Sequence, residues 1–383
     1  MEKFLAPSLR RRDVLLAIAG STLFAPALPV QASPPISSER WVSAHGGETE
    51  DFGLGWVGSG KLGGNASTGF RGHAVLQHPL RPESVIFLPR RPGKTALEVD
   101  LSTGTVLRKI HSEQDRHFFG HGCFSSDGSV LFTTEAQISA GLGRITLRDS
   151  SSYALLDEWS SFGIGPHDMA ALPDGKTLVV ANGGILTRPD SGRKALNLPT
   201  MRSSLCYLDA ASGMLIDEFF VDEPKASIRH LDVASDGTVA FAIQVQREAT
   251  GHDRLVPLIG AHRPGGALEL FAEPEAITFQ LKDYVGSVAI ANESGLAAYA
   301  SPRGNIVVFF DLKTGALAGY HQLRDVCGLA VSPAHRAFVI TNSFGEMREL
   351  DWSTLLERRE SRLRLPQIRW DNHLLITAAN HTA

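Results

Sequence analysis

Apolar residues alternate with small or polar ones in short runs through most of this chain, and each run ends in a turn built from Asp, Pro, Ser or Gly. GHGCFSSDGSVLFTTE (Gly120–Glu135), GPHDMAALPDGKTLVVAN (Gly165–Asn182) and RHLDVASDGTVAFAIQ (Arg229–Gln244) share one plan. It is a small or polar start, an apolar run, a turn, and a second apolar run. VGSVAIANESGLAAYAS (Val285–Ser301) and CGLAVSPAHRAFVITN (Cys327–Asn342) continue the series, and Arg71–Pro89 begins it with a longer turn. Most copies are followed by a second hairpin with an Asp and a Ser/Thr-Gly turn, as in TALEVDLSTGTVLRKI and IVVFFDLKTGALAGYH. ITLRDSSSYALLDEWS follows this plan without its Gly. Period-two alternation bounded by turn formers predicts strands and hairpins. Four strands in about 40–60 residues is the dimension of a propeller blade.

Six such units leave strand material at both ends. Trp370–Ala378 reads as a lone inner strand, whereas RWVSAHGG, DFGLGWVG and NASTGF read as its partners. Joining them gives an all-β, seven-bladed β-propeller whose last blade is closed by the N- and C-terminal strands. Closure also removes edges that would otherwise template aggregation. The segment STLLERRESRLRL near Ser353 is the best helix candidate, but it is basic and equally readable as strand plus loop.

The first 32 residues break the pattern. Arg10, Arg11 and Arg12 precede the apolar run VLLAIAGSTLFAPAL, and VQA then offers a small-residue cleavage site. This is an export signal, with a run too short and interrupted for a membrane span. LRRRDVLL resembles a bacterial twin-arginine signal with Arg11 and Arg12 as its pair, although Val14 and Leu16 stand where Phe and Lys are favoured. The expectation is a periplasmic protein, residues 33–383, exported through the twin-arginine pathway, monomeric and without a membrane span. Folding before export leaves Cys123, Cys206 and Cys327 as buried apolar residues rather than a disulfide framework. A net charge of −4 from 37 basic and 41 acidic residues disfavours a nucleic-acid partner.

Histidines recur at one place in the repeat. His73, His121, His167, His230 and His373 each fall near the beginning of an expected innermost strand, and those starts ring one mouth of a propeller channel. Arg71, Arg116 and Arg229 lie close to three of them. Three readings stay open. Neutral imidazoles converging on a channel suit a transition metal such as iron or copper; the arginines suit an anionic ligand; or the histidines tie blades together. His73 and His167 precede a turn Pro by six residues, whereas His121 and His230 precede the matching Ser by five. With alternating side chains, that offset leaves open which rings face inward. Only Asp168 and Asp371 supply carboxylates near this ring, which disfavours a carboxylate-rich calcium or zinc site.

Elsewhere, GSGKLGGN (Gly58–Asn65) has a phosphate-loop composition without the spacing or the helix, and reads as a glycine-rich hairpin. Loops Gly183–Ser204 and Gln246–Gly266 insert into the third and fourth repeat units and carry several arginines, suited to a partner or anionic ligand.

The RGH, RHFFGHGCFSSDG, GPHDMAALPDGKTLVVANGGI, SIRHLDV and WDNHL segments behind an RRRD leader resemble the bacterial family DUF1513 over nearly the whole mature chain. That resemblance implies an exported, propeller-like protein of unknown activity, encoded beside imelysin-type and di-haem proteins of iron acquisition. It implies periplasmic iron-uptake partners and supplies no catalytic residues. The blades are more distantly similar to YVTN and lactonase-type propellers. The function expected is ligand or partner binding in iron acquisition; the alternative is a metal-dependent oxidoreductase or lactonase-like enzyme at the same mouth.

Overall fold

A computed structural model describes residues 39–46, 51–58, 60–192, 194–272 and 274–377. The expected leader, its cleavage site and the Arg11–Arg12 pair lie outside the described residues. Seven four-stranded antiparallel sheets follow one another around a ring. Their innermost strands are Gly72–His78 (blade 1), Arg116–Phe124 (blade 2), Pro166–Ala171 (blade 3), Ala226–Val233 (blade 4), Ser287–Ala291 (blade 5), Val326–Ser332 (blade 6) and Arg369–Ile376 (blade 7). In blades 1 to 6 the chain runs outward from the innermost strand.

The alternation that marks these strands in the sequence now has a physical cause. Each blade is covered on both faces by its neighbours, so second and third strands such as Thr177–Asn182 and Ile306–Asp311 are almost wholly buried. Outermost strands such as Leu155–Ser160 and Leu215–Phe220 are open on their outer side. Apolar side chains of successive blades interlock: Val42, Leu54 and Trp56 of blade 7 pack with Val75, Val85 and Phe87 of blade 1.

Turn chemistry repeats with the blades. In the hairpin between the third and fourth strands, Asp100, Asp149, Asp209, Asp311 and Asp351 each accept backbone N–H bonds from residues two or three positions on. Asx turns of this kind replace a backbone acceptor by a side chain. The left-handed residue that follows is Gly in three of them, but Tyr153 and Leu355 adopt it in blades 2 and 6.

Ring closure joins the chain ends. Trp41–Gly46 pairs with Arg369–Ile376, with Trp41 opposite Ile376 and Val42 opposite Leu375. Ser43 Oγ donates to the His373 carbonyl at 2.6 Å, and the Arg40 N–H donates to Thr377 Oγ1 at 2.9 Å. Glu39 extends the seam to blade 6 by accepting from Ser332 Oγ at 2.6 Å and the Ala334 N–H at 3.1 Å. Arg40 reaches blade 1 through Glu83 at 2.6 Å.

Other expectations resolve as follows. The described residues of GSGKLGGN fall in the antiparallel pair Gly53–Gly58 and Lys61–Ser67, with Gly58 opposite Lys61. A Cβ on Gly64 would sit 2.1 Å from Trp56 Cζ2, so glycine here makes room for an indole. The segment near Ser353 is a turn, a single 3-10 turn at Arg359–Ser361 and the short outer strand Leu363–Arg364, with no α-helix. Two short helices absent from the sequence reading, Arg247–Thr250 and Glu275–Gln280, occupy the connections of blade 4. The second inserted loop is shorter than expected, because Ile259–His262 is the third strand of that blade. All three cysteines are free, and burial pushes the Cys123 and Cys206 thiols up to about 12. No helix among the described residues is long and apolar enough to cross a membrane.

Trp370 is 2% exposed and packs on Trp41, Val339 and Met347 at the seam. Trp370→Ala is expected to lower unfolding free energy by about 3–5 kcal/mol in urea titrations. Leu356→Ala, at a side chain 70% exposed, should change it by less than about 0.5 kcal/mol. Equal effects would show that the seam does not govern stability.

Candidate functional site

All five recurrent histidines converge. The His73 ring centroid lies 4.4 Å from that of His373, 4.8 Å from His121, 5.8 Å from His167 and 6.2 Å from His230. His121–His373, His167–His230 and His230–His373 are 4.6, 4.7 and 4.7 Å apart. They come from the innermost strands of blades 1, 2, 3, 4 and 7.

Strand register explains how they meet despite their offset in sequence. Each of these five strands breaks its pairing at or beside the histidine. His73 lies in the break between Gly72 and Val75, His121 between Phe118 and Gly122, and His167 between Pro166 and Asp168. The break beside His230 spans Ile228 to His230, and in blade 7 Asp371, Asn372 and His373 together oppose Ala44. Of the two inner strands that carry no histidine, that of blade 5 pairs without interruption and that of blade 6 breaks between Val326 and Leu329. The inner strand carries one extra residue at the break in blades 1, 3 and 4 and two in blades 2 and 7, and such bulges re-aim the neighbouring side chains. Gly120 completes the approach: its φ is +112°, and a Cβ there would lie 2.5 Å from His73 Cδ2. Any larger residue would push His73 out of the cluster.

Two trios can be drawn in which one ring nitrogen from each histidine lies within 4.8 Å of the others: His73, His121 and His373, and His121, His167 and His230. Asp168 orients the shared member, with Oδ1 2.9 Å from His121 Nδ1. Its Oδ2 accepts the Leu231 N–H at 3.1 Å and stands 3.9 Å from His230 Nδ1. One nitrogen of each ring finds no hydrogen-bond partner among the described residues: Nδ1 of His73, His167 and His230, and Nε2 of His121 and His373. A buried polar atom left without a partner costs about 1–3 kcal/mol, so five together are informative. Burial is the main cause that holds His73, His167, His230 and His373 well below the ordinary 6.5. Neighbouring imidazoles and Arg90, Arg91 and Arg229 act in the same direction. These four rings are therefore neutral at pH 7, the form that ligates metals.

A cavity of about 330 Å³ opens above the rings. His73, His167 and His230 line it, whereas His121 and His373 are not among the lining residues. Its wall carries Arg71, Arg90, Arg91, Arg229 and Arg303, with no carboxylate among the lining residues. Asp371 stands behind the wall, 2.6 Å from Arg71 Nε and 3.7 Å from Arg90. Arg91 and Arg303 lie over the rings of Phe119 and Tyr284, at 5.1 and 5.0 Å from the centroids. Such cation–π contacts help to fix where the two guanidiniums lie.

The arginines singled out in the sequence divide. Arg71 and Arg229 line the cavity. Arg116 does not: it turns outward to form a bidentate pair with Glu158 on the outermost strand of its blade, at 2.6 and 2.7 Å. His117 also stays apart, stacked on Phe119 with Nδ1 3.0 Å from the Phe118 carbonyl oxygen. The inserted loops contribute Ile185, Ala195 and Gln246 to the wall. Among the described residues their arginines serve elsewhere, Arg247 with Asp283 and Arg263 with Glu269. Arg90, Arg91 and Arg303 were missed, and a topological signal existed for them. In antiparallel pairing the end of a second strand lies beside the start of the first, as Pro89 lies opposite Gly72. Residues just beyond the second strands of blades 1 and 5 therefore reach the mouth.

Protonation of the cluster sets a pH dependence. The four depressed histidines take up protons near 6.5 when unfolded but only at lower pH when folded. Their stabilisation is complete above that value and is lost as pH falls below it, by about 1.4 kcal/mol per pH unit for each histidine in its window. Asp232, which burial pushes up to about 6, acts oppositely with a single proton. Urea midpoints of metal-free protein should fall from pH 7 to pH 5, and less so in His73→Leu/His373→Leu. An unchanged slope in that variant would contradict the assignment.

Comparisons with known proteins agree with this architecture. No curated protein matches the chain. Among solved structures it is similar to Kuenenia stuttgartiensis Hydrazine Synthase, at 13% identity and a TM-score of 0.57, over 90% of this chain and 99% of that one. Such distance shows a shared fold and nothing of activity. A family model described as "Protein of unknown function (DUF1513)" matches residues 66–377, which include all five histidines and all five arginines of the mouth, and this propeller belongs to that family.

Proposed function

We infer that this propeller binds a transition metal through the channel histidines His73, His121, His167, His230 and His373. The observation that carries the reading is five convergent imidazoles, forming two trios of ligand spacing, each ring with one buried nitrogen that has no hydrogen-bond partner among the described residues. Imidazole-rich sites suit iron, copper, zinc and nickel, whereas calcium and magnesium demand oxygen ligands that the trios lack. His121 is common to both trios, so the ion sits against it whichever trio dominates. Asp168 supports this role from behind: a carboxylate on the remote nitrogen of a ligating histidine fixes its tautomer and strengthens it as a donor.

The leader signature of residues 1–32 supports export to the periplasm by the twin-arginine route. Folding before export would let the site load in the cytoplasm. Together with the genomic company of the family, this supports a place in periplasmic iron handling, with iron or copper as the ion. An enzyme, either a metal-dependent oxidoreductase or a lactonase, is a second reading favoured by the cavity directly above the rings. It adds turnover to the same metal content and so shares the first experiment.

Elemental analysis of the protein, purified without a polyhistidine tag and incubated with iron or copper salts, should give about one ion per chain. The double variant His121→Ala/His230→Ala should retain none. Asp168→Asn should keep the ion with an affinity about 10–100-fold lower, because it alters orientation and not ligation. Absence of metal after loading, or an undiminished content in the double variant, would overturn the reading.

A further inference from the structure

The two trios occupy different parts of the ring. His121, His167 and His230 belong to the consecutive blades 2, 3 and 4, and the last two line the cavity. His73, His121 and His373 belong to blades 1, 2 and 7, where the ring closes, and only His73 lines the cavity. The trios share His121 alone, and among the described residues no trio mixes the two remaining pairs. With metal–nitrogen bonds of about 2.0–2.1 Å, adjacent imidazoles on one ion have ring centroids about 4.5–5.5 Å apart. The separations are 4.7 to 5.4 Å in the first trio and 4.4 to 4.8 Å in the second. Between the pairs, His73 stands 5.8 Å from His167 and 6.2 Å from His230, beyond that span. One ion therefore fits either trio better than it fits all five rings.

His121 is built as the fixed member. Its Nδ1 faces Asp168 Oδ1 at 2.9 Å, and its carbonyl accepts from Thr134 Oγ1 at 3.0 Å. With Nδ1 so engaged, the buried Nε2 is the nitrogen left to ligate, and its lone pair serves one ion at a time. Among the described residues, the closest carboxylate contact of any other ring in the cluster is His230 Nδ1, 3.9 Å from Asp168 Oδ2. The two pairs approach each other at His230 and His373, whose centroids are 4.7 Å apart. Three protein ligands leave an open position on a four-coordinate ion, so His373 can bind before His230 leaves.

We propose that the cluster is a transfer site, in which a single ion passes from His167 and His230 to His73 and His373 while His121 holds it throughout. The ion enters from the cavity at the first trio and comes to rest at the seam. It is cargo, an exchangeable transition-metal ion, rather than a resident cofactor. This rests on the metal reading above. Bonds to His167 and His230 break as bonds to His73 and His373 form. Imidazole leaves and arrives as a neutral ligand, so neither a proton nor an electron moves. Retaining one ligand makes each exchange intramolecular, which favours it over release to solvent.

Cobalt(II) chloride is the probe, because its visible absorption reports its coordination. The unaltered protein, without a tag, should bind one cobalt per chain. His73→Leu/His373→Leu and His167→Leu/His230→Leu should each do the same, with two distinct spectra whose weighted sum reproduces that of the unaltered protein. His121→Leu should bind more weakly than either, by more than the about 10–100-fold that the outer partner of a metal ligand is worth. In stopped-flow mixing, His167→Leu/His230→Leu lacks the entry pair and should load more slowly than His73→Leu/His373→Leu; equal rates or the reverse order would overturn the transfer. Thermal melts establish that each variant is folded, and glutamine at the same positions replaces any leucine variant that is not. If the unaltered protein binds cobalt but a folded pair variant does not, the ion has a single site; this inference then falls and the metal reading stands. Two ions per chain would overturn it as well, since a shared ligand forbids them. If the unaltered protein binds neither cobalt, iron nor copper, both fall.

Discussion

The pairing of Trp41–Gly46 with Arg369–Ile376 is the constraint on which the molecule depends. A propeller blade cannot bury both faces unless the ring is complete, so every inter-blade core relies on a seam between residues more than 300 positions apart in sequence. The seam also makes the site. His373 sits on the closing strand, its carbonyl tied to Ser43 of the N-terminal strand, and its ring is 4.4 Å from His73 across the junction with blade 1. The ordering of the histidine cluster is therefore inseparable from the closing of the ring. Loss of loop entropy on closing so long a chain is offset by many apolar contacts rather than by any single bond.

One repeated device links fold and site. Asp168 accepts the backbone N–H of Leu231 in the next blade, and Asp232 does the same for Ile290 in the blade after that. In blades 4 and 5 this is only a latch between inner strands. In blade 3 the same carboxylate also faces His121, so a structural contact has become an orienting contact. The cluster itself works against stability: five imidazoles are packed under a wall of guanidiniums with one nitrogen of each unpartnered. Local conflict of this kind, in a chain otherwise consistent from turn chemistry to core packing, is the mark of a functional site.

Much of this was legible in the chain. Period-two alternation, turn residues at fixed offsets and a repeat of about 50 residues determined the all-β class, the seven blades and the split last blade, because those signals are local and repeated. They also put five histidines and two carboxylates at equivalent strand starts. The exceptions were local too. Tyr153 and Leu355 adopt the left-handed turn position that Gly fills elsewhere, and a glycine-rich string resembling a phosphate loop is packing space for Trp56.

Tertiary structure alone decided which side chains share the mouth. Side chains alternate along a strand, so the facing of each ring depends on whether its bulge adds one residue, as in blades 1, 3 and 4, or two, as in blades 2 and 7, and these breaks have no signature that composition or period reveals. Arg116 and Arg71 look alike in sequence, yet the first is drawn outward by Glu158 and the second stays at the mouth with Asp371. Arg90, Arg91 and Arg303 follow second strands and reach the cavity only because antiparallel pairing returns the chain to where the first strand began. The chain by itself determined which residues are available at one end of the ring. Their direction and their neighbours depend on contacts between blades far apart in sequence, and only the closed ring supplies those.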